Sequence, residues 1–219
     1  MPTPARPIWY PSPNFGARRN GLQPSLVVLH YTAMTSAAAA LERLCDPAFE
    51  VSAHYLIGGD GRLWQMVAED QRAWHAGVGE WAGLADVNSR SIGIELDNRG
   101  DHPFSHRQMA TLEDLLPQIM QRWAIPPEGV IGHSDMAPGR KIDPGRHFDW
   151  ARLAAQGLAA SAQNEAVERV SIAAFRAAAQ RAGFTAKSDD ATLLQAVRLR
   201  YRPWATGVLT AQDIACLPR

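Results

Sequence analysis

The stretch that most constrains the fold is Leu26-Val-Val-Leu-His-Tyr31, an unbroken apolar run that ends in a histidine and a tyrosine. A short run without polar alternation is typical of a strand that is covered on both faces. Residues 91–97 form a second apolar segment, but there the isoleucines and a leucine alternate with smaller or charged residues, so Glu95 projects from the opposite face. These two segments predict a sheet with a buried interior.

Helical patterns alternate with further strands along the first two thirds of the chain. Residues 51–57 and 62–67 predict two strands of a hairpin, joined by the glycine-rich turn Gly58-Gly-Asp-Gly61. Residues 36–44 and 105–123 predict helices, the second with an apolar stripe at helical spacing. Strands interleaved with helices predict an α/β domain built on a central sheet.

The last third of the chain has a different pattern. Residues 170–182, 190–201 and 210–217 predict three short helices, separated by glycine and proline. The sequence therefore predicts a first domain over 1–155 that includes a proline-rich N-terminal segment, a helical linker over 156–168, and a small three-helix domain over 169–219.

Composition limits the class of protein and its partners. The 219 residues are 46% hydrophobic and 20% charged, which is typical of a soluble globular protein. The 22 basic and 22 acidic residues balance, so the chain lacks the positive charge of nucleic-acid binders, and no nucleic-acid partner is expected. Cys45 and Cys216 lie near opposite ends of the chain, which predicts two small buried thiols rather than a disulfide framework.

Localisation is predicted from the lack of long apolar segments. No stretch approaches the roughly 20 apolar residues that span a bilayer, so no transmembrane segment is expected. The first eleven residues contain four prolines and lack the apolar centre of a signal peptide. We therefore expect a cytoplasmic protein, or a periplasmic one if a leader was removed, and a monomer.

The chemistry-bearing residues concentrate at strand ends and in one loop. Residues 130–145 combine a short apolar strand with His133, Lys141 and Asp143 in a loop stiffened by proline and glycine, and His30 ends the first apolar strand. Catalytic zinc sites use three protein ligands and leave a fourth position for water. Taken alone, however, each histidine could be a hydrogen-bonded core residue, and Lys141 could be a surface lysine.

Two further features admit more than one interpretation. Glu95 lies in an apolar strand, where a carboxylate costs free energy unless it is paired or functional, so it is either a salt-bridged residue or part of a site. Residues 73–83 form an irregular loop that contains Trp74, His75 and Trp81. These three side chains are candidates for the walls of a binding cleft.

Five motifs occur in an order that is similar to that of a known family. They are Val28-Leu-His-Tyr-Thr32, Ser52-Ala-His-Tyr55, Ala73-Trp-His-Ala-Gly77, Ser91-Ile-Gly-Ile-Glu95, and Gly132-His-Ser-Asp135 followed by Pro138-Gly-Arg-Lys-Ile-Asp-Pro-Gly145. Together they resemble the zinc-dependent N-acetylmuramoyl-L-alanine amidases of type 2, which include AmpD-like and AmiD-like enzymes and are related to phage lysozyme-type amidases and peptidoglycan recognition proteins. The resemblance runs from about residue 12 to residue 150.

The resemblance implies a fold, a cofactor and roles for the candidate residues. It implies a mixed sheet flanked by helices and a Zn²⁺ ion held by His30, His133 and Asp143. Glu95 matches the catalytic glutamate of the family, and Lys141 matches its basic residue two positions before the carboxylate ligand. The implied reaction is hydrolysis of the amide between N-acetylmuramic acid and L-alanine in peptidoglycan or muropeptides, in cell-wall degradation or peptidoglycan recycling by a bacterium.

Two alternatives to the amidase stay open. One is a recognition protein that binds peptidoglycan without cutting it, and the other is a zinc peptidase that acts within the stem peptide. The three C-terminal helices resemble a peptidoglycan-binding module, although the usual Asp-Gly turn is absent. A purely structural helical cap is the alternative for this region.

Overall fold

The computed structural model describes residues 6–218. This part of the chain contains eight strands and eight α-helices. Residues 1–5 and 219, which belong to the predicted first and last domains, lie outside the described residues. The strands are β1 (Ile8–Trp9), β2 (Phe15–Ala17), β3 (Leu26–Tyr31), β4 (Tyr55–Ile57), β5 (Leu63–Gln65), β6 (Gln71–Ala73), β7 (Ser91–Leu96) and β8 (Val130–Gly132). The helices are α1 (Ala37–Cys45), α2 (Val87–Arg90), α3 (His106–Trp123), α4 (His133–Met136), α5 (Trp150–Ala154), α6 (Ile172–Arg181), α7 (Asp190–Tyr201) and α8 (Ala211–Ala215).

Six of the strands form one mixed sheet in the order β1-β5-β4-β7-β3-β8, and β2 pairs with β6 in a separate antiparallel ribbon. At the centre, β3 runs parallel to both β7 and β8. The predicted hairpin is confirmed, because β4 and β5 pair antiparallel. The α/β class with a mixed sheet flanked by helices is likewise confirmed.

The two faces of the sheet carry two different hydrophobic clusters. Val27 and Leu29 of β3 and the isoleucines of β7 pack against α3, whose buried face includes Leu112, Leu116 and Ile119. On the other face, Leu26 and Val28 pack against the C-terminal helices. Because successive residues of a strand point to opposite faces, the unbroken apolar run of β3 supplies both clusters.

The C-terminal helices share a hydrophobic cluster with the sheet. Phe175 of α6, together with Leu193 and Val197 of α7, belongs to the same cluster as Val28 and Ile131 of the sheet. The predicted helices are present, and they cover the sheet face as a structural cap would. The domain boundaries at 155 and 169 stay a prediction.

The prediction of a helical linker over 156–168 is wrong. Helix α5 ends at Ala154, and Gly157 adopts a φ of +70°, a left-handed conformation that stops a helix. The following residues run without helix, and the amide of Gln163 donates to the carbonyl of Cys216 at 3.0 Å. Contact with the C-terminal helices therefore overrides the helical propensity of the alanines. Among the described residues, no helix combines the length and apolar character needed to cross a membrane.

Candidate active site

Three potential metal ligands meet at the carboxyl ends of two neighbouring parallel strands. His30 is the penultimate residue of β3, His133 directly follows β8, and Asp143 lies ten residues further on. Nδ1 of His30 lies 2.9 Å from Nδ1 of His133, and Oδ2 of Asp143 lies 2.9 Å and 3.0 Å from these two nitrogens. All three side chains are buried. The parallel pairing of β3 with β8 brings them together across 103 residues of sequence.

The contacts of the His133 ring outside the three-residue cluster favour one of its two tautomers. Nε2 lies 2.9 Å from the carbonyl oxygen of Ala76, which can only accept, and 3.3 Å from NH2 of Arg140, which can only donate. The shorter contact favours a proton on Nε2, and this tautomer directs the Nδ1 lone pair toward Asp143.

His75 gives His30 the same tautomer. Ser91 donates its hydroxyl proton to the carbonyl of Val87 at 2.6 Å, so its oxygen accepts from Nε2 of His75 at 3.2 Å. Burial holds the pKa of His75 well below its usual value, so this ring is neutral and its Nδ1 accepts from Nε2 of His30 at 3.0 Å. Burial, with the neighbouring His133, lowers the pKa of His30 to about 4, so its Nδ1 also presents a lone pair.

The resulting donor set fits a transition-metal ion. In these tautomers two imidazole lone pairs and one carboxylate oxygen converge with no proton between the two nitrogens, an arrangement that is repulsive without a cation. Imidazole is a preferred ligand of zinc, copper, iron and nickel rather than of magnesium or calcium. A second hydrogen bond on each ligating histidine, which orients the ring, is typical of protein metal sites.

Backbone hydrogen bonds join the two parts of the loop that carries Asp143. The amide of Ser134 donates to the carbonyl of Asp143 at 2.9 Å, and the amide of Lys141 donates to the carbonyl of Ala137 at 3.0 Å. The positive φ of Gly139 and Gly145 supplies the turns on either side. The loop therefore places its carboxylate beside the histidine that begins it.

Glu95 is the direct register partner of His30 on the adjacent parallel strand. Its Oε2 is buried and has no hydrogen-bond partner among residues 6–218. Burial, together with the nearby carboxylate of Asp143, raises the pKa of Glu95 to about 8, and Lys141 opposes the rise. A divalent cation at the three ligands would lower this pKa, because an opposite charge favours the ionised carboxylate.

The raised pKa of Glu95 predicts that the free energy of unfolding of the metal-free protein falls as pH rises. The folded state keeps a proton that the unfolded state releases above its lower pKa, so stability is lost as pH rises from about 4.5 to about 8. Glu95→Gln stays neutral and avoids this loss. Urea unfolding of the chelator-treated proteins measures the difference. We expect the free energy of unfolding of Glu95→Gln to exceed that of the wild type by a few kcal/mol at pH 8.5 and to match it closely at pH 4.5.

An exposed glutamate provides the control for this prediction. Glu42 lies on the solvent side of α1, and Glu42→Gln should leave the pH dependence of stability unchanged. A difference in the free energy of unfolding between Glu95→Gln and wild type that is the same at both pH values would contradict the raised pKa of Glu95.

The metal ligands and Glu95 open into a cavity of about 550 Å³. Trp74 and His75 line it, and Lys141 also faces it from an exposed position on the loop. That Trp74 and His75 contact a substrate stays a prediction. Arg43 and Arg140 complete a wall with three cationic side chains. The cavity is large enough for a small organic ligand and is suited to an anionic one.

The prediction that Trp81 forms a cleft wall is wrong. Trp81 is 5% exposed, and its ring packs edge-on against Phe184 with 5.0 Å between the ring centroids, in the cluster between the sheet and the C-terminal helices. A Cβ at Gly183 would lie 2.4 Å from this ring, so the glycine makes room for it. Trp81 therefore attaches the loop to those helices and lies outside the cavity.

The sequence alone does not reveal the row of hydrogen-bonded side chains, from His30 through His75 to Ser91, that lies behind the potential metal ligands. The sequence predicts His75 only as a wall of the cleft, whereas its two nitrogens also connect His30 to Ser91. A Cβ at Gly93 would lie 2.4 Å from the ring of His75, so only glycine fits there. A glycine inside a strand is the one sequence signal of such a close approach.

Comparisons with known proteins agree with this geometry. Residues 20–146 match the family Amidase_2, described as N-acetylmuramoyl-L-alanine amidase. Over 151 residues, 62% of this chain and 54% of the other, the sequence is 42% identical to the N-acetylmuramoyl-L-alanine amidase AmiD of Escherichia coli K12. It is 37% identical to the 1,6-anhydro-N-acetylmuramyl-L-alanine amidase AmpD of Haemophilus influenzae, over 64% of this chain and 86% of AmpD. The alignment thus spans about half the length of AmiD.

Solved structures extend the match into the C-terminal helices. The complex of E. coli AmiD with the substrate anhydro-N-acetylmuramic acid-L-Ala-D-gamma-Glu-L-Lys superposes with a TM-score of 0.79 at 33% identity, covering 90% of this chain and 89% of AmiD. AmpDH3 of Pseudomonas aeruginosa with anhydromuramic pentapeptide gives a TM-score of 0.80 at 31% identity, covering 99% and 96%. The matched family region contains His30, Glu95, His133, Lys141 and Asp143. The chain belongs to the N-acetylmuramoyl-L-alanine amidase family.

Proposed function

We propose that this protein hydrolyses the amide bond between N-acetylmuramic acid and L-alanine of the stem peptide, in peptidoglycan or in muropeptides, with a zinc ion held by His30, His133 and Asp143. One observation carries the proposal: three lone-pair donors converge beside a buried carboxylate, that of Glu95, in a cavity. The membership in an amidase family supports the choice of reaction.

The residues of the site suit the steps of amide hydrolysis. Zinc, when bound, supplies Lewis acidity that polarises a carbonyl and lowers the pKa of water toward ~7. Oε2 of Glu95 accepts a proton from the attacking water and returns it to the amide nitrogen as the bond breaks. Lys141 faces the same cavity, and its ammonium stabilises the negative charge that develops on the carbonyl oxygen.

The cavity wall suits a substrate that carries carboxylates. Arg43, Arg140 and Lys141 present cationic groups to it, and Trp74 adds an aromatic surface. The ligand in the AmiD complex contains a γ-linked glutamate, which retains a free carboxylate. Charge complementarity therefore favours a muropeptide over a neutral peptide.

Mass spectrometry of muropeptide digests tests the proposal. The zinc-loaded protein should release free stem peptide and leave the glycan intact. Shortened stem peptides would instead identify a zinc peptidase, and no product in the presence of binding would identify a recognition protein. Parallel digests of sacculi and soluble anhydromuropeptides show which substrate is preferred.

Substrate preference is linked to the compartment. We propose a cytoplasmic protein that acts on soluble fragments in peptidoglycan recycling, with a periplasmic enzyme acting on sacculi as the alternative. The monomeric state and glycan binding by the C-terminal helices stay predictions. Size-exclusion chromatography with light scattering measures the first, and a pull-down of the inactive protein on sacculi measures the second.

His75 is expected to support zinc binding without touching the ion. Its hydrogen bond orients His30, and loss of such a partner typically weakens metal affinity by about 10- to 100-fold. His75→Ala should therefore raise the zinc dissociation constant by that factor, measured by competition with a chromophoric chelator. His106→Ala, at an exposed position on α3, should leave it unchanged, and equal affinities of the two variants would contradict this role.

A further inference from the structure

A buried ion pair connects the C-terminal helices to the turn that carries His133. NH1 of Arg200, on α7, donates to Oδ2 of Asp135, on α4, at 2.8 Å. The two side chains are 2% and 1% exposed. The contact spans 65 residues and links the sheet to helices that lie beyond the linker.

Arg200 and Asp135 together bracket the backbone that leads into His133. NH2 of Arg200 donates to the carbonyl of Val130 at 2.9 Å, and Oδ2 of Asp135 also accepts from the amide of Gly132 at 2.8 Å. The guanidinium lies 4.1 Å above the ring of Trp150, which holds it in place. The chain is therefore held at the two peptide units that flank Ile131, directly before Gly132 and His133.

Stability alone does not account for this ion pair. Oδ1 of Asp135 and Nε of Arg200 are buried and lack partners among residues 6–218. A buried ion pair with unsatisfied atoms is often no more stabilising than apolar side chains of the same volume. Its specific effect is to fix the backbone where His133 begins, next to a ring that must keep its Nδ1 within 3.0 Å of Asp143.

We propose that Arg200 is a positioning residue of the metal site, through which the C-terminal helices set the geometry of His133. The proposal rests on the zinc site of the proposed function. It assigns these helices a role in metal binding that is separate from any contact with glycan.

Zinc affinity and the spectrum of the cobalt-substituted protein test the proposal. Arg200→Met keeps an apolar stem but removes the bonds to Asp135 and Val130. We expect the zinc dissociation constant to rise by about 10- to 100-fold, as for other groups that orient a ligand. The visible absorption of the Co²⁺ form, which reports ligand geometry, should change in position or intensity.

Arg198 on the same helix offers a matched control. It makes a buried ion pair with Asp213 at 2.7 Å and 2.9 Å and also bonds the carbonyls of Gly207 and Val208, all within the C-terminal region. Arg198→Met should therefore lower the melting temperature and leave zinc affinity and the Co²⁺ spectrum as in the wild type.

The comparison separates positioning from general destabilisation. Equal zinc affinity of Arg200→Met and wild type, or equal weakening in both variants, would overturn the proposal. If Arg200→Met fails to fold, Arg200→Lys serves instead, because lysine keeps the charge but cannot make both bonds. Its zinc affinity should also fall, by a smaller factor than that expected for Arg200→Met. Wild-type zinc affinity in the lysine variant would overturn the proposal as well. The muropeptide digest of the wild type tests the proposed function separately, because zinc affinity is measured without substrate.

Discussion

Glu95→Gln is expected to abolish muropeptide hydrolysis while zinc stays bound. Glutamine matches the shape of glutamate but cannot accept a proton, so the general base is lost, and such a loss typically costs about 10²- to 10⁴-fold in kcat. Liquid chromatography of released stem peptide gives the rate, and metal analysis after gel filtration gives the zinc content. Glu95→Ala should lose turnover to the same degree.

The glutamine variant separates catalysis from folding. It should melt at or above the wild-type temperature at pH 8.5 in the metal-free form, because the buried carboxylate that resists ionisation is gone. A variant that releases stem peptide at the wild-type rate would remove Glu95 from the mechanism. A variant that loses zinc as well would make Glu95 a part of the metal site instead. Glu42→Gln should retain full activity.

Asp143→Ala is expected to lose both zinc and turnover. The substitution removes one of the three proposed ligands and leaves the two imidazoles without the carboxylate charge that would favour a cation between them. The loss of affinity should exceed the 10- to 100-fold expected of groups behind the ligands, such as His75. Without bound metal the hydrolytic step has no Lewis acid, so activity falls to background.

Thermal unfolding with added zinc measures this effect without substrate. A ligand that binds only the folded state stabilises it by about 4 kcal/mol at 1,000 times its dissociation constant. The melting temperature of the wild type should therefore rise with zinc, and that of Asp143→Ala should not. Asp101→Ala, at an exposed position, should respond like the wild type. A zinc-dependent rise of equal size in Asp143→Ala would contradict the ligand assignment.

The sheet could be predicted from the sequence because its residues obey local rules. The unbroken apolar run of β3 and the alternation of β7 are each read within six residues, and both strands occur where the patterns place them. The linker could not be read in this way. Its alanines favour helix, but Gly157 stops the helix, and backbone pairing with the C-terminal end decides the rest. Tertiary contacts outweigh propensity in such segments.

The meeting of His30, His133 and Asp143 could be predicted only with the help of motif order. His30 and His133 are separated by 103 positions in the sequence, and no local pattern shows that they meet. The roles of His75 and Arg200 were missed for the same reason, since each acts through a partner that only the fold brings near. Trp81 was misassigned because an aromatic residue beside a site motif can equally well pack against a neighbouring helix.

The pairing of His30 with Glu95 across β3 and β7 has a consequence for how sequence changes are tolerated. A slip of one residue between these strands would turn Glu95 toward α3 and expose Ile94 on the side of the cavity, because side chains alternate between faces. An insertion or deletion of one residue that misplaces the carboxylate therefore also breaks the hydrophobic packing. Variants with such a slip would therefore unfold rather than persist as folded, inactive protein. The hydrophobic core and the position of Glu95 depend on the same strand register.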